Sequence, residues 1–537
     1  MYEDILLVLL AIVAFVFFVR LADRKGWIKK YGMKAYGPFL MWSTQRGKVF
    51  IDRLAAPKRF WLSYAAMAKW ICAVVMFLMM ALLLWEATIV DQIPAENAPG
   101  LEMMLGIPGV NPIIPLWYGI LGLLVAIVIH EVAHGILTRV GNMDIRSMGL
   151  LWLIVPMGAF VEPDEEALVK ADKRRRMNVY AVGPATNIIV GLVCALIFSS
   201  AMMGSVEPVR DNPIIVSVAD DGPAEMAGLH FGAQIVEMGG TPITTYDDFY
   251  QFSGPDPGEK VNVSYYYEGE LRTAEVFAGV LLTSVSSDYP ADQAGLEPGM
   301  IVFSLNDTVI RNDNDLKDVL RSTVGGQTVN VTALVYDRDA DEYVPVPSVT
   351  KVTLMSRLAY YEDVSPGTVD DDFEDYGFMG INSAYMGAGV NTPDVILDRL
   401  ATPYAGADDW SSYVTSSLRY IALPFYGLAP LTSTITDMFE PQGAWSALPD
   451  GTFWVLANCA YWIFWINLMV GMTNVLPAVP LDGGYLFRDG LDALVKKFKK
   501  NASDEERLRY VGKITYALAI FVLFLIMWQL IGPRLLG

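Results

Sequence analysis

Long apolar runs alternate with polar connections at both ends of the chain, and the middle breaks that pattern. A helix crossing a bilayer needs about 20 apolar residues. Six runs approach or exceed that length, at roughly 3–20, 69–90, 116–139, 177–203, 453–475 and 512–531. The first opens with Glu3 and Asp4 where a signal peptide carries basic residues, so it reads as a span. Between the fourth and fifth runs the pattern changes to short β-branched stretches such as Ile214–Val218 and Val280–Val285, split by Gly, Pro and Asp. That pattern predicts strands and turns. The expected fold is an α-helical polytopic membrane protein of about six spans with a β-rich insert. The stretch 412–437 is apolar, but Pro424 and Pro430 interrupt it, and it is expected to lie on the membrane interface rather than cross.

Charge sets the orientation. The chain carries 59 acidic and 39 basic residues for a net −20, which argues against nucleic acid as a partner. Residues 204–412 hold 35 acidic and 10 basic residues, a net −25 that leaves +5 for the rest. The stretch 20–69 holds twelve basic and two acidic residues, and 170–176 and the lysines around Lys496–Lys500 are also basic. By the bias of Lys and Arg toward the cytoplasm these segments face inward. Segment 91–115 has no basic residue and faces outward, as do both termini and the acidic insert. Cys72, Cys194 and Cys459 lie in apolar runs, so no disulfide framework is expected.

The insert contains a repeat. Pro223-Ala-Glu-Met-Ala-Gly-Leu-His-Phe-Gly232 recurs 67 residues later as Pro290-Ala-Asp-Gln-Ala-Gly-Leu-Glu-Pro-Gly299. Each copy follows a β-branched run and leads into another, which fits a short helix closed by a Gly turn between strands. The pattern resembles tandem PDZ domains, with Ala233 and Met300 where such domains usually place Asp. Tyr376-Gly-Phe-Met-Gly-Ile381 resembles a PDZ carboxylate-binding loop.

Candidate chemistry begins in the third span. His130-Glu131-Val132-Ala133-His134 places two imidazoles on one helix face, where both can bind one metal ion with Glu131 beside it. Zinc suits such a pair, and the carboxylate can serve as general base toward metal-bound water. Ionisable groups are costly inside a bilayer and usually line a functional cavity. A catalytic zinc normally has three protein ligands. Asp482, in Asn474-Val-Leu-Pro-Ala-Val-Pro-Leu-Asp-Gly-Gly484 at the end of the fifth span, is the candidate for the third.

HExxH in one span and N-x-x-P-x-x-x-L-D-G-G ending another resemble the site-2 protease family of intramembrane zinc metalloproteases. The resemblance covers about 115–203 and 440–531. It implies one Zn²⁺ per active site held by His130, His134 and Asp482, with Glu131 as catalytic base. Gly149–Val161, with Pro156-Met-Gly-Ala-Phe-Val161, resembles the family's membrane re-entrant β-hairpin, which implies that Pro156, Gly158 and Phe160 contact an extended substrate. Gly183-Pro-Ala-Thr-Asn187 and Asn474 match motifs whose Asn positions substrate.

The expected organisation follows: an N-terminal membrane region with two extra spans (1–114), a first protease half (115–203), PDZ-like domains at 204–280 and 281–385, a linker with the interfacial segment (386–452), and a second protease half (453–537). The expected activity is zinc endopeptidase action on transmembrane protein substrates within the lipid bilayer of the cell membrane. The site would face the cytoplasm, and cleavage would follow a first cut outside. Another class of reading is a non-catalytic adaptor or chaperone holding clients through the PDZ-like pair, though such a protein has no need of Glu131. A metal transporter is disfavoured, because no relay of metal-binding residues crosses the spans.

Overall fold

A computed structural model describes residues 2–44, 47–93, 95, 98–104, 106–153, 155–364, 373–498 and 503–536. Among the described residues five helices are long and apolar enough to cross a membrane: Lys58–Thr88, Leu116–Val140, Lys173–Ser205, Thr452–Val475 and Asp504–Leu536. The first expected span falls on helix Tyr2–Arg24, whose side chains at 2–9, 11 and 12 lie outside the described set. Stretch 412–437 is broken into helix Trp410–Ile421, a turn at Leu423–Tyr426 and a short helix at Ser433–Thr436. The protein is a polytopic membrane protein with a β-rich insert.

The chain divides into two compact units, one of residues 1–201, 421–430 and 455–537, the other of 202–420 and 431–454. In the first, small residues bring the central helices together, as expected where lipid supplies no hydrophobic contrast. A Cβ on Gly122 of the HExxH helix (Leu116–Val140) would sit 2.8 Å from the Trp462 carbonyl oxygen. One on Gly191 of the GPATN helix (Lys173–Leu196) would sit 3.1 Å from the Phe464 carbonyl oxygen, and one on Gly471 would sit 3.0 Å from that of Pro184. The second extra span, Lys58–Thr88, also packs on the GPATN helix. Tyr64 hydroxyl meets Thr186 hydroxyl at 2.8 Å, Lys69 Nζ donates to Asn178 Oδ1 at 2.6 Å, and Cys72 Sγ reaches the Ala181 carbonyl at 3.3 Å.

The same unit holds an antiparallel sheet of four strands in the order β1 (Met33–Tyr36), β2 (Phe39–Thr44), β3 (Ile145–Leu153) and β4 (Val155–Pro163). The expected β3–β4 hairpin is present, with Met148 opposite Val161 and Leu151 opposite Gly158. It is extended by the β1–β2 hairpin, in which Ser43 pairs with Gly149. Residues 33–44 lie in the stretch 20–69, which is expected from its lysines and arginines to be a basic connection; the structure instead places two short strands there, turning at Gly37–Pro38. β4 is left as the edge strand.

The second unit carries two sheets. One has the order 270–277, 260–267, 234–238, 214–218, 388–391, and the other 342–345, 328–337, 301–305, 280–285, 381–385. Both repeat copies form the expected short helices, Pro223–Met226 and Pro290–Gln293. The first module is not the single stretch 204–280: its sheet takes its last strand, Ala388–Asn391, from beyond the whole second module, with Ala388 opposite Val218. The repeat motif marks a helix and turn, whereas this four-residue edge strand carries no signature of its own. The loop 376–381 runs into the last strand of the second sheet.

Candidate active site

His130 and His134 lie one turn apart near the end of the HExxH helix, and Asp482 opens the following LDGG helix (Asp482–Phe498). That helix starts tucked against the end of Thr452–Val475, because Gly483 and Gly484 lie where a Cβ would collide with the backbone of Val475 and Val479. The turn carries Asp482 Oδ2 to 3.0 Å from His130 Nε2 and 3.1 Å from His134 Nε2, and the two Nε2 atoms are 3.0 Å apart. His130 and His134 are 8% and 9% exposed.

This donor set fits a cation. His134 Nδ1 lies 2.7 Å from the Val179 carbonyl oxygen, which can only accept, so Nδ1 carries the proton and Nε2 presents its lone pair. Three electron-rich atoms about 3 Å apart repel one another unless a proton or metal ion lies among them. Gly183 of the GPATN helix faces the same spot. A Cβ there would fall 2.5 Å from His134 Nε2 and 2.8 Å from His130 Nε2, so glycine keeps the space beside both donors clear. Two imidazoles and a carboxylate are zinc-type ligands. Among the described residues this is the group of three metal-ligating side chains whose donor atoms lie within 4.8 Å of one another.

Glu131 sits between this cluster and the sheet. Its Oε2 accepts a hydrogen bond from the backbone N–H of Val161 at 2.8 Å. Val161 therefore turns its amide away from β3 and toward the open edge of β4. Alternation along a strand gives Ala159, two residues away, the same outward sense. Gly158 and Phe160 lie on this strand, while the side chain of Pro156 is outside the described residues.

Asn187, one turn beyond Gly183, is fully buried, and among the described residues neither its Nδ2 nor its Oδ1 has a hydrogen-bond partner. Asn474 is half-buried and spends its Nδ2 on the Val470 carbonyl at 3.1 Å, within its own helix. Three groups escaped the sequence reading: the Val161 amide, the Val179 carbonyl and the space at Gly183. The first two are backbone atoms and leave no trace in residue identity. Gly183 was visible only as part of a motif.

Residues 118–521 match the peptidase family M50. An uncharacterised protein of Methanocaldococcus jannaschii is 28% identical over 259 residues, covering 46% of this chain and 64% of that protein. Two proteins named "Putative zinc metalloprotease", from Agrobacterium fabrum and Rhizobium meliloti, are 23% and 25% identical over 28% and 29% of this chain. The matched region spans 49% and 50% of those two relatives' own lengths. The family match takes in the HExxH helix and the LDGG turn, whose His130, His134 and Asp482 side chains converge on one point, and the GPATN helix, whose Val179 carbonyl and Gly183 border it. By that match this chain belongs to peptidase family M50, the site-2 protease family of metalloproteases.

Proposed function

We propose that this chain is an intramembrane zinc endopeptidase that hydrolyses peptide bonds in or near transmembrane segments of other proteins. The convergence of His130, His134 and Asp482 on one point inside a helix bundle carries the reading. These three residues would hold the zinc ion. When bound, the ion supplies a Lewis acid for the scissile carbonyl and acidifies a water molecule.

The protein's own groups do the rest. A transmembrane helix hides its peptide bonds in internal hydrogen bonds, so a stretch of it must unwind before cleavage. The open edge of β4 near Gly158 and Phe160 offers replacement backbone partners, which is strand addition to a sheet edge. Asn187, whose buried amide has no partner at either end among the described residues, offers side-chain partners for the same extended segment. Asn474 is assigned the same role from its position eight residues before Asp482. Glu131 takes a proton from water as the water oxygen bonds to the carbonyl carbon. It passes that proton to the amide nitrogen as the C–N bond breaks, leaving a carboxylic acid and an amine, and the acid's remaining proton then passes to the amine to give a carboxylate and an ammonium group.

Charge supports a cytoplasm-facing site. Lys173–Arg176 begin the GPATN helix, and Val179 and Gly183, which touch the metal-ligand cluster, lie within the next two turns. The acidic insert then lies outside. We assign its two modules a PDZ-like role as a filter that admits proteins already trimmed of a bulky outer domain. Exposed Trp410, Tyr413 and Leu418 on helix Trp410–Ile421 suit an interfacial segment.

The test is cleavage of single-span reporters by purified protein in detergent, with Glu131→Gln as control. Zinc-dependent cleavage within the span, lost in Glu131→Gln, supports the proposal. A wild-type protein with stoichiometric zinc that binds reporters and cuts none would overturn it.

A further inference from the structure

The LDGG helix supplies the third metal ligand from its first residue, and something must fix its rotation and height against the helices that carry the other groups. Asp489 lies seven residues after Asp482, two turns along the same face, or about 10 Å. Asp489 and Asp492 are each only 3% exposed. Arg176 of the GPATN helix grips Asp489 with both ends of its guanidinium, Nε to Oδ2 and Nη2 to Oδ1, each at 2.9 Å. Lys173, one turn earlier, meets Asp492 Oδ2 at 2.5 Å, and Arg507 of the last span meets Asp492 Oδ1 at 2.6 Å. Between this network and the metal cluster, the Tyr180 and Tyr485 rings stack at 5.2 Å and 21°.

The contacts form a ladder between two helices. Arg176, Val179 and Gly183 follow at intervals of three and four, so they share one face of the GPATN helix. Val179 binds His134, and Gly183 clears the space beside both Nε2 atoms. Asp482, Tyr485, Asp489 and Asp492 run at similar intervals down the facing helix. A bidentate Arg–carboxylate pair fixes direction as well as distance. Turning the LDGG helix by one residue, about 100°, would break that pair and swing Asp482 off the histidines.

We propose that Arg176 and Asp489 are positioning residues for the metal site: their ion pair, braced by Lys173, Asp492 and Arg507, sets where Asp482 Oδ2 stands relative to His130 and His134. Neither residue touches metal or substrate. The inference rests on the zinc-site reading above, and the measurement separates the two.

Metal affinity is the readout, measured on the full-length protein in detergent by chelator competition for Zn²⁺ and by the visible absorption of Co²⁺ in its place. Supporting contacts of this kind change metal affinity about 10- to 100-fold. Arg176→Asp and Asp489→Arg should each weaken Zn²⁺ binding by about tenfold or more and alter the Co²⁺ spectrum. The double swap should restore both. Arg176→Lys keeps the charge but not the fork, and should fold and show a smaller loss of affinity, which keeps the test decisive if a reversal does not fold. Folded Arg176→Lys or reversal variants with wild-type affinity and spectrum would overturn the proposal. So would a folded double swap that fails to recover. A wild-type protein that takes up no stoichiometric zinc would instead overturn the metal-site reading on which the ladder rests.

Discussion

Glu131 Oε2 accepts a hydrogen bond from the Val161 amide at 2.8 Å, so the candidate general base is held by the edge strand to which the substrate is assigned. Seating of the sheet and placement of the base are thereby one event. Removing the base by Glu131→Gln should cost about 10²- to 10⁴-fold in cleavage rate while leaving zinc bound. Val161→Pro deletes the donor at an outward-facing edge position, where proline is tolerated. A hydrogen bond to a charged group contributes about 1.5–3 kcal/mol, so cleavage should fall about tenfold or more with zinc content unchanged. Reporter kinetics beside metal analysis checks both. A Val161→Pro protein that folds and cuts at the wild-type rate would detach the strand from the base.

Gly183 makes a sharper claim. Adding one methyl group there places a carbon 2.5 Å from His134 Nε2. The HExxH helix cannot yield freely, because Gly122 already packs it against the Trp462 carbonyl. Gly183→Ala should therefore weaken zinc binding by about tenfold or more, the scale of change seen when the surroundings of a metal ligand are disturbed. Gly191→Ala, two turns along the same helix, meets Phe464 and Leu468 rather than the histidines. It should lower thermal stability while leaving zinc affinity near wild type. Equal losses of zinc in the two variants would mean that Gly183 matters only for helix packing.

Asn187 is a case of stability set against use. An unpartnered buried polar group costs about 1–3 kcal/mol, and here both ends of the amide lack partners among the described residues. Asn187→Leu, similar in volume and apolar, should raise the melting temperature in detergent while lowering kcat/KM on single-span reporters. If the variant is both less stable and fully active, the amide is satisfied some other way and holds no substrate.

What was legible in the sequence was whatever residue type and short spacing encode. His130 and His134 stand four apart, Asp482 stands before two glycines, and hydropathy located the five helices long and apolar enough to cross a membrane among the described residues. The groups that complete the site were hidden for physical reasons. The Val179 carbonyl and Val161 amide are backbone atoms, identical in every residue. Arg176 and Asp489 are 313 residues apart, and each alone reads as an ordinary charge near one end of an apolar run. Strand 39–44 pairs with β3, a long-range partner that local propensity does not reveal, and strand 33–36 joins the sheet through 39–44. Ala388–Asn391 joins the first sheet although the second module intervenes, an order no repeat motif announces.

Outside the membrane, Asp313 makes the second module sensitive to acid in an unusual direction. It opens helix Asp313–Arg321, and its Oδ2 accepts from the Tyr385 amide at 3.0 Å. Burial pushes its carboxyl up to about 6, outweighing that hydrogen bond. An unfolded Asp titrates near about 3.9, so between there and about 6 the folded module binds the extra proton. Stability should therefore fall as pH rises through that window and level off above it, by about 2–3 kcal/mol in all. This is opposite in sign to the usual carboxylate, whose lowered value makes acid destabilising. Asp313→Asn keeps an oxygen for the Tyr385 amide and removes the charge, so it should flatten the profile at the acid-side level. Thermal unfolding of the insert, followed in the full-length protein from pH 4 to pH 7, measures the slope. If wild type and Asp313→Asn give the same profile across that range, Asp313 is not held protonated by the fold.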